Sequence, residues 1–285
     1  MQQHTALVSD ITQLSDYKKC KICSGEIRKV NNRYNLVSCK NCGIVFFEKD
    51  LKDFDIDGYY SKLYSDLSSY NNYSKQLEQL KQGAQPPLGF DKSWVLKRVL
   101  SKKPGEIAEI GCGIGFVGNY IQSKGIAYTG FEPAIQIAAA AKELGINVIQ
   151  GTTDNLQDYR EHFAAVLAFE VIEHIDNLKG AFAAIHSALK PSGRFGFTVP
   201  NYNKRLNFDK NGEEIYQSGP PLHINFFTVE SIKTIAGEMG FEVEYIKERA
   251  FLQKQSTMKK NLRLLYLMGT GKFNGSTIYC VLKKK

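Results

Sequence analysis

The stretch "AEIGCGIGFVGNY", residues 108–120, decides how the rest of the chain is read. In one register Glu109 is followed by a hydrophobe and then by Gly111, Gly113 and Gly115 in a G-x-G-x-G pattern. In a second register Gly113, Gly115 and Gly118 give the G-x-G-x-x-G spacing of dinucleotide-binding loops. Both place a glycine-lined turn between an apolar strand and a helix, where backbone approaches an adenosine-bearing ligand that side chains would exclude. The two registers ask for different ligands.

From about residue 90 onward, apolar strand-like runs alternate with helical patterns, the mark of an α/β fold with a largely parallel sheet. The patterns predict helices at 91–100, 115–124, 134–144, 177–189 and 228–239. Strands are predicted at 106–110, 127–131, 146–150, 164–169, 193–199, 241–250 and 275–283. This is a Rossmann-like, seven-stranded sheet with helices on both faces. A helical insertion separates the last two strands, so the sheet is expected to end in an antiparallel pair.

Ahead of this core stand two cysteine pairs, Cys20 and Cys23 in "CKIC" and Cys39 and Cys42 in "CKNC", with fifteen residues between them. Each C-x-x-C turn presents two thiolates from one knuckle, and two knuckles complete a tetrahedral shell. Ser-Gly and Asn-Asn turn signals in the intervening segment allow a β-hairpin to bring them together. The expectation is a small zinc ribbon over residues 1–53 with zinc in a structural, closed site, iron–sulfur ligation being the formal alternative. Residues 54–90 hold five tyrosines within fifteen positions and read as a helical linker or lid, with Tyr59, Tyr60 or Tyr64 facing ligand; the core occupies 91–285.

Composition and charge narrow the function classes. A chain of 285 residues, 43% hydrophobic and 12% aromatic, is globular. No apolar run reaches the roughly 20 residues of a membrane-spanning helix, and the first twenty residues lack a signal-peptide core. The expectation is a cytoplasmic protein with reduced cysteines, Cys112 and Cys280 among them as packed thiols. The formal charge of +8 is unevenly placed: residues 1–60 carry nine Lys/Arg against eight Asp/Glu, and residues 247–285 carry ten against one. The basic C-terminal region is either a solvated face or a contact for an acidic partner or surface.

The loops after each predicted strand separate the two cofactors. Glu132 in "YTGFEPA" is placed for ribose hydroxyls in either case. Glu109 favours the cationic ammonium end of S-adenosylmethionine, because a pyrophosphate would want a helix N-terminus and neutral surroundings. Asp154 in "GTTDNL" is placed to meet the adenine amino group, with the next backbone amide for a ring nitrogen, and Phe169 and Glu170 in "AFEVIEHI" to lie beneath the methionine part.

These blocks, together with "LKPSGRFGFTVPN" and "PPLHINFFTVESI", occur in an order and spacing that resembles the class I S-adenosylmethionine-dependent methyltransferases, particularly the UbiG-like small-molecule branch, over roughly residues 90–250. The resemblance implies that Gly111, Gly113 and Gly115 hold methionine and ribose, Glu132 the ribose, Asp154 and Asn155 the adenine side, and Phe169 and Glu170 the central wall. Cys112 and Pro133, inside the same two loops, are counted with the cofactor positions. A zinc ribbon ahead of such a core resembles bacterial methyltransferases of sugar and polysaccharide biosynthesis. The resemblance is not expected to extend to the long C-terminal domain of the nucleotide-sugar C-methyltransferases, so their substrate and base assignments are not carried over.

The acceptor is expected to be a small molecule: a sugar or polysaccharide precursor, a quinol-like phenol or another hydroxyl compound. His223, in the Pro-stiffened "GPPLH" loop, is the expected proton acceptor, with His174 as the second candidate. The long polar connection at 201–221 and the tyrosine segment are the expected seats of acceptor specificity. Two rivals stand beside this reading. One is an RNA methyltransferase whose zinc ribbon reads nucleic acid, disfavoured by the near charge balance of residues 1–60; the other is an NAD-dependent oxidoreductase.

Overall fold

The computed structural model describes residues 14–52, 54, 75–84, 88–100, 105–203, 206–208, 214–216, 219–249, 258, 262, 266 and 277–285. The tyrosine segment, including Tyr59, Tyr60 and Tyr64, lies outside the described residues, as does most of the basic stretch before the last strand.

The N-terminal part forms strands β1 (Ile27–Asn31), β2 (Leu36–Cys39) and β3 (Val45–Phe47). The core follows as α1 (Phe90–Val99), β4 (Ile107–Ile110), α2 (Phe116–Gln122), β5 (Tyr128–Glu132), α3 (Ile135–Glu143), β6 (Val148–Gln150), β7 (Phe163–Phe169), α4 (Leu178–Ala188) and β8 (Leu189–Pro200). Then come β9 (Leu206–Phe208), β10 (Glu214–Tyr216), β11 (Asn225–Phe226), α5 (Val229–Glu238), β12 (Phe241–Arg249) and β13 (Thr277–Lys284). The main sheet has seven strands in the order β12-β13-β8-β7-β4-β5-β6. β4, β5, β6, β7 and β8 run parallel, and β13 is antiparallel to both β8 and β12.

Every residue of β4 and β5 is buried, as a parallel strand covered on both faces requires. Alternate side chains of β4 and β7 feed two separate cores. Ala108, Ile110, Val166 and Ala168 pack with Leu178, Phe182 and Ile185 of α4 and Ile232 and Ile235 of α5. Ile107, Ala165, Leu167 and Phe169 pack with Val95, Leu96 and Val99 of α1, Val117 and Ile121 of α2, and Ala138 and Ala141 of α3. The helices start where the sequence caps them: Asn177 accepts the amide of Gly180 at α4, and Thr228 and Ser231 form a reciprocal box at α5.

The predicted core elements lie within a few residues of those observed, and the antiparallel end of the sheet is present. The long polar connection at 201–221 contains two short strands, and a third, β11, follows it. β9 and β10 pair as an antiparallel hairpin, and β11 joins β3, so the N-terminal sheet has the order β1-β2-β3-β11. The cysteine segment is therefore continuous with the core: Cys20, Ile22, Cys39, Cys42, Ile44 and Phe46 belong to the same buried cluster as α4 and α5.

Both glycine registers have structural reasons. Gly118 lies in α2 where a Cβ would collide with a ring carbon of Tyr128, stand 2.6 Å from Tyr128 Cζ and 3.0 Å from Ile146 Cγ2. This is the close helix-to-strand approach that the last glycine of the dinucleotide spacing serves. Tyr128 is buried at the strand below. Gly118→Ala should therefore destabilise the fold by about 1–3 kcal/mol, the scale of overpacking a filled core, read as a lowered urea midpoint.

Candidate active site

The parallel strands bring the loops after β4, β5 and β7 to one edge of the sheet. Gly111, Gly113 and Gly115 have φ of +63°, +57° and +78°, and only glycine adopts this region without strain. At Gly111 a Cβ would lie 2.6 Å from Val171 Cγ2, and at Gly115 2.6 Å from Ile146 Cδ1. The loop is thus squeezed by protein as well as opened to ligand. Between them the amide of Gly113 donates to Glu132 Oε2 at 2.9 Å, while Ala134 donates to Oε1 at 3.0 Å. Glu132 is buried at the end of β5, and burial raises its pKa against the opposing pull of those two amides. A carboxylate offers about four lone-pair directions, so both oxygens keep capacity for the paired hydroxyls of a ribose.

Cys112 sits in the loop with its thiol turned inward, 3.6 Å from the carbonyl of Gly113 and against Gly130, where burial raises its pKa. Its side chain packs in the same cluster as Val117 and Tyr128. Pro133 is exposed beside Glu132. Asp154 is exposed at the start of a 3-10 turn, Thr153–Asp158. Asn155 spends its side chain on that turn, accepting the amide of Thr152 at 2.9 Å.

Glu109 is the central electrostatic feature. It is 2% exposed, and its Oε2 accepts the Tyr128 hydroxyl at 2.6 Å. Burial pushes its pKa up to about 7, against the opposing pull of Lys92 and the Tyr128 hydrogen bond. Lys92, on α1, also places its Nζ 5.5 Å from the ring centroid of Phe169. Sequence reasoning missed both Tyr128 and Lys92. Tyr128 reads as an ordinary strand residue, and Lys92 precedes the glycine loop by about two helical elements' worth of chain, so neither carries a local signal.

The segment after β7 carries the expected histidine. Glu170 is a non-glycine residue at φ +57°, a strained conformation that tends to mark functional loops. His174 closes a short 3-10 turn, Ile172–His174, and His223 stands beside it: the two rings are 4.8 Å apart and nearly perpendicular. His174 Nδ1 lies 2.7 Å from the carbonyl of Leu222. A carbonyl only accepts, so Nδ1 carries the proton and the lone pair of the neutral ring is on Nε2. Burial lowers the His174 pKa, with the Leu222 bond opposing. Glu173, fully buried, has its Oε1 3.9 Å from His174 Nε2, and ligand atoms of Glu173, His174 and His223 all lie within 4.8 Å of one another. The fold thus joins two histidines that are far apart in sequence and adds a carboxylate not singled out from it. The only sequence signal for Glu173 was its place next to His174.

The four Sγ atoms of Cys20, Cys23, Cys39 and Cys42 also converge within 4.8 Å. Cys20 and Cys42 are 3.7 Å apart, and Cys23 and Cys39 3.4 Å. Amides of Ile22, Asn41 and Cys42 point at the sulfurs of Cys20 and Cys39 at 3.3–3.4 Å, and hydrogen bonding, chiefly from Cys42, lowers the Cys20 pKa. Four soft donors with amides turned toward two of them fit a thiophilic metal ion.

A family model described as a methyltransferase domain matches residues 92–246, more than half of the chain. The chain belongs to this methyltransferase-domain family. It is 25% identical over 178 residues to the mitochondrial ubiquinone biosynthesis O-methyltransferase of Rattus norvegicus, covering 55% of this chain and 52% of that one. It is 33% identical over 115 residues to the ubiquinone biosynthesis O-methyltransferase of Methylobacterium nodulans, covering 38% and 46%. The chain spans about half the length of the curated relatives it matches. Its fold is similar to an S-adenosylmethionine-dependent methyltransferase structure from Mesorhizobium loti, with a TM-score of 0.51 and 16% identity over 70% of this chain and 100% of that one.

Within this methyltransferase sheet the pKa of Glu109 has a measurable signature. Its folded value of about 7 lies above the ordinary 4.5, so the folded chain holds a proton that the unfolded chain has lost. Stability should fall as pH rises from about 4.5 through about 7, by about 3 kcal/mol for this group, and stay lost above that. Glu109→Gln should remove the dependence, so the difference between variant and parent unfolding free energies, followed in urea from pH 4.5 to 8, should grow across that window.

Proposed function

We propose that the chain transfers the methyl group of S-adenosylmethionine to a hydroxyl-bearing small molecule, a quinol-like phenol or a sugar, with His223 receiving the acceptor's proton. The observation that carries this reading is the His174–His223 pair at the same sheet edge as the glycine loop and Glu132. The O-methyl relatives named for ubiquinone biosynthesis support a phenolic acceptor, and the near-neutral charge of residues 1–60 speaks against RNA.

When bound, the cofactor supplies an electrophilic methyl group on a sulfonium. The chain's task is alignment and proton removal. Glu132, fixed by the amides of Gly113 and Ala134, receives the ribose hydroxyls. Glu109 faces the ammonium end as a buried counter-charge, and the Phe169–Glu170 turn forms the wall under the methionine chain. Asp154 and the Asn155 amide stand on the adenine side. His174, with Nδ1–H tied to Leu222, presents Nε2 toward Glu173 and supports the neighbouring His223 ring. His223 accepts the acceptor proton as the new bond to carbon forms.

Calorimetry should show binding of S-adenosylmethionine and S-adenosylhomocysteine and none of NAD. Label from methyl-tritiated donor should enter a metabolite extract and not an RNA extract; label in RNA alone would overturn the small-molecule reading. His223→Gln should keep donor affinity and lower the initial rate of label transfer by roughly 10²-fold, the scale of one lost acid–base group. An unchanged rate between pH 6 and 9 would remove His223 from the chemistry.

The cysteine cluster is read as one structural zinc per chain in a ribbon-like module, since four thiolates close the shell and leave no open position. Protein purified without chelator should contain about one equivalent of zinc. Cys39→Ser should lose it while donor affinity stays within a few-fold of the parent.

A further inference from the structure

The cysteine module touches the core at one place with unusual chemistry. Lys21, inside the first knuckle, has a side chain only 4% exposed, and its Nζ lies 3.4 Å from Asp176 Oδ1. The same ammonium stands over the rings of Tyr17 and Phe46 at 5.7 and 5.5 Å. Tyr17 donates its hydroxyl to both oxygens of Asp176 at 3.3 and 3.2 Å. A buried lysine is costly to keep unless it is paired and hydrogen-bonded, and its partner here is two residues past His174.

The other histidine is tied to the same module. Phe46 of β3 pairs with Asn225 of β11, two residues past His223, and the amide of Phe47 donates to the carbonyl of Ile224 at 2.9 Å. The two histidine segments are also stitched to each other. Ile224 donates to the carbonyl of Glu173 at 2.9 Å, and the buried Asn225 side chain donates to the carbonyls of Ile172 and Ile175 at 3.0 and 2.7 Å. The His174 segment, which continues from β7, is thus bonded to the first knuckle and the His223 segment to β3, while the glycine loop, Glu132 and Glu109 are carried by the parallel strands.

We propose that the Lys21–Asp176–Tyr17 clamp is a positioning device for the histidine pair. Through it the cysteine module sets the geometry of proton removal and leaves cofactor binding alone. Lys21 and Tyr17 touch neither cofactor nor acceptor in this assignment; they act through Asp176. The proposal rests on the reading of His223 as the proton acceptor, and its test separates the two.

Four proteins are compared at full length: the parent, Lys21→Met, Lys21→Arg and Tyr17→Phe. Three quantities are read: S-adenosylmethionine affinity by calorimetry, the initial rate of tritiated methyl transfer into the metabolite extract, and the 15N signals of the His174 and His223 rings. Lys21→Met should bind the donor within about twofold of the parent, lose about tenfold or more in rate, and show displaced ring signals. Lys21→Arg should recover most of both, and Tyr17→Phe, which deletes one oxygen and opens no cavity, should show a smaller loss of the same kind. If Lys21→Met does not fold, Tyr17→Phe decides by the same criteria. Unmoved ring signals with parental donor binding overturn the clamp, whatever the rate does. If His223→Gln transfers label at the parental rate while Lys21→Met still displaces the ring signals, the base assignment fails and the clamp stands.

Discussion

Parallel pairing of β4 with both β5 and β7 governs the molecule, because it forces each connection to return over a face of the sheet and sends each new loop to the same edge. Glu132 closes this arrangement. Its carboxylate at the end of β5 collects amides from the loop after β4 and from the start of the next helix, so two loops far apart in sequence share one anion. Without that anion the left-handed turn at Gly113 would have an unanswered buried amide, and the edge that receives a ligand would lose its floor.

Around this edge the chain concentrates buried carboxyl groups. Glu109, Glu132 and Glu173 are each nearly or wholly enclosed. Glu109 is eased by Tyr128 and Lys92, and Glu132 by main-chain amides. A cation bound beside such groups would favour their ionised forms. That electrostatic logic suits a ligand with a sulfonium and an ammonium better than one with a pyrophosphate.

Much of this was legible in the sequence because it is local. The glycine spacing, the alternation of apolar runs with amphipathic helices, and the two C-x-x-C turns each have a period or a fixed offset that one short window exposes. The double glycine register resolved into two jobs, with Gly111 and Gly115 serving the turn and Gly118 serving the packing of α2 on Tyr128. What stayed hidden is non-local. β11 is two residues long and has no periodicity to read, so its pairing with β3 could not be seen. Nothing in either segment announces that His174 and His223 meet, or that Lys21 reaches Asp176. Cys112 reads both as a packed thiol and as a cofactor position, and its buried side chain packs with the helix layer.

The position of β13 has a consequence for how the chain reaches this structure. β13 lies between β8 and β12, pairing with both along nearly its whole length. During synthesis, therefore, β8 emerges with an open, apolar edge, and β12 follows with no neighbour to accept it. Neither can be satisfied until residues 277–284 have been made. The last strand is a keystone laid between two waiting courses, so the sheet completes late and through contacts distant in sequence, a slow kind of closure. In the interval the unpaired backbone of β8 is a template for the wrong partner.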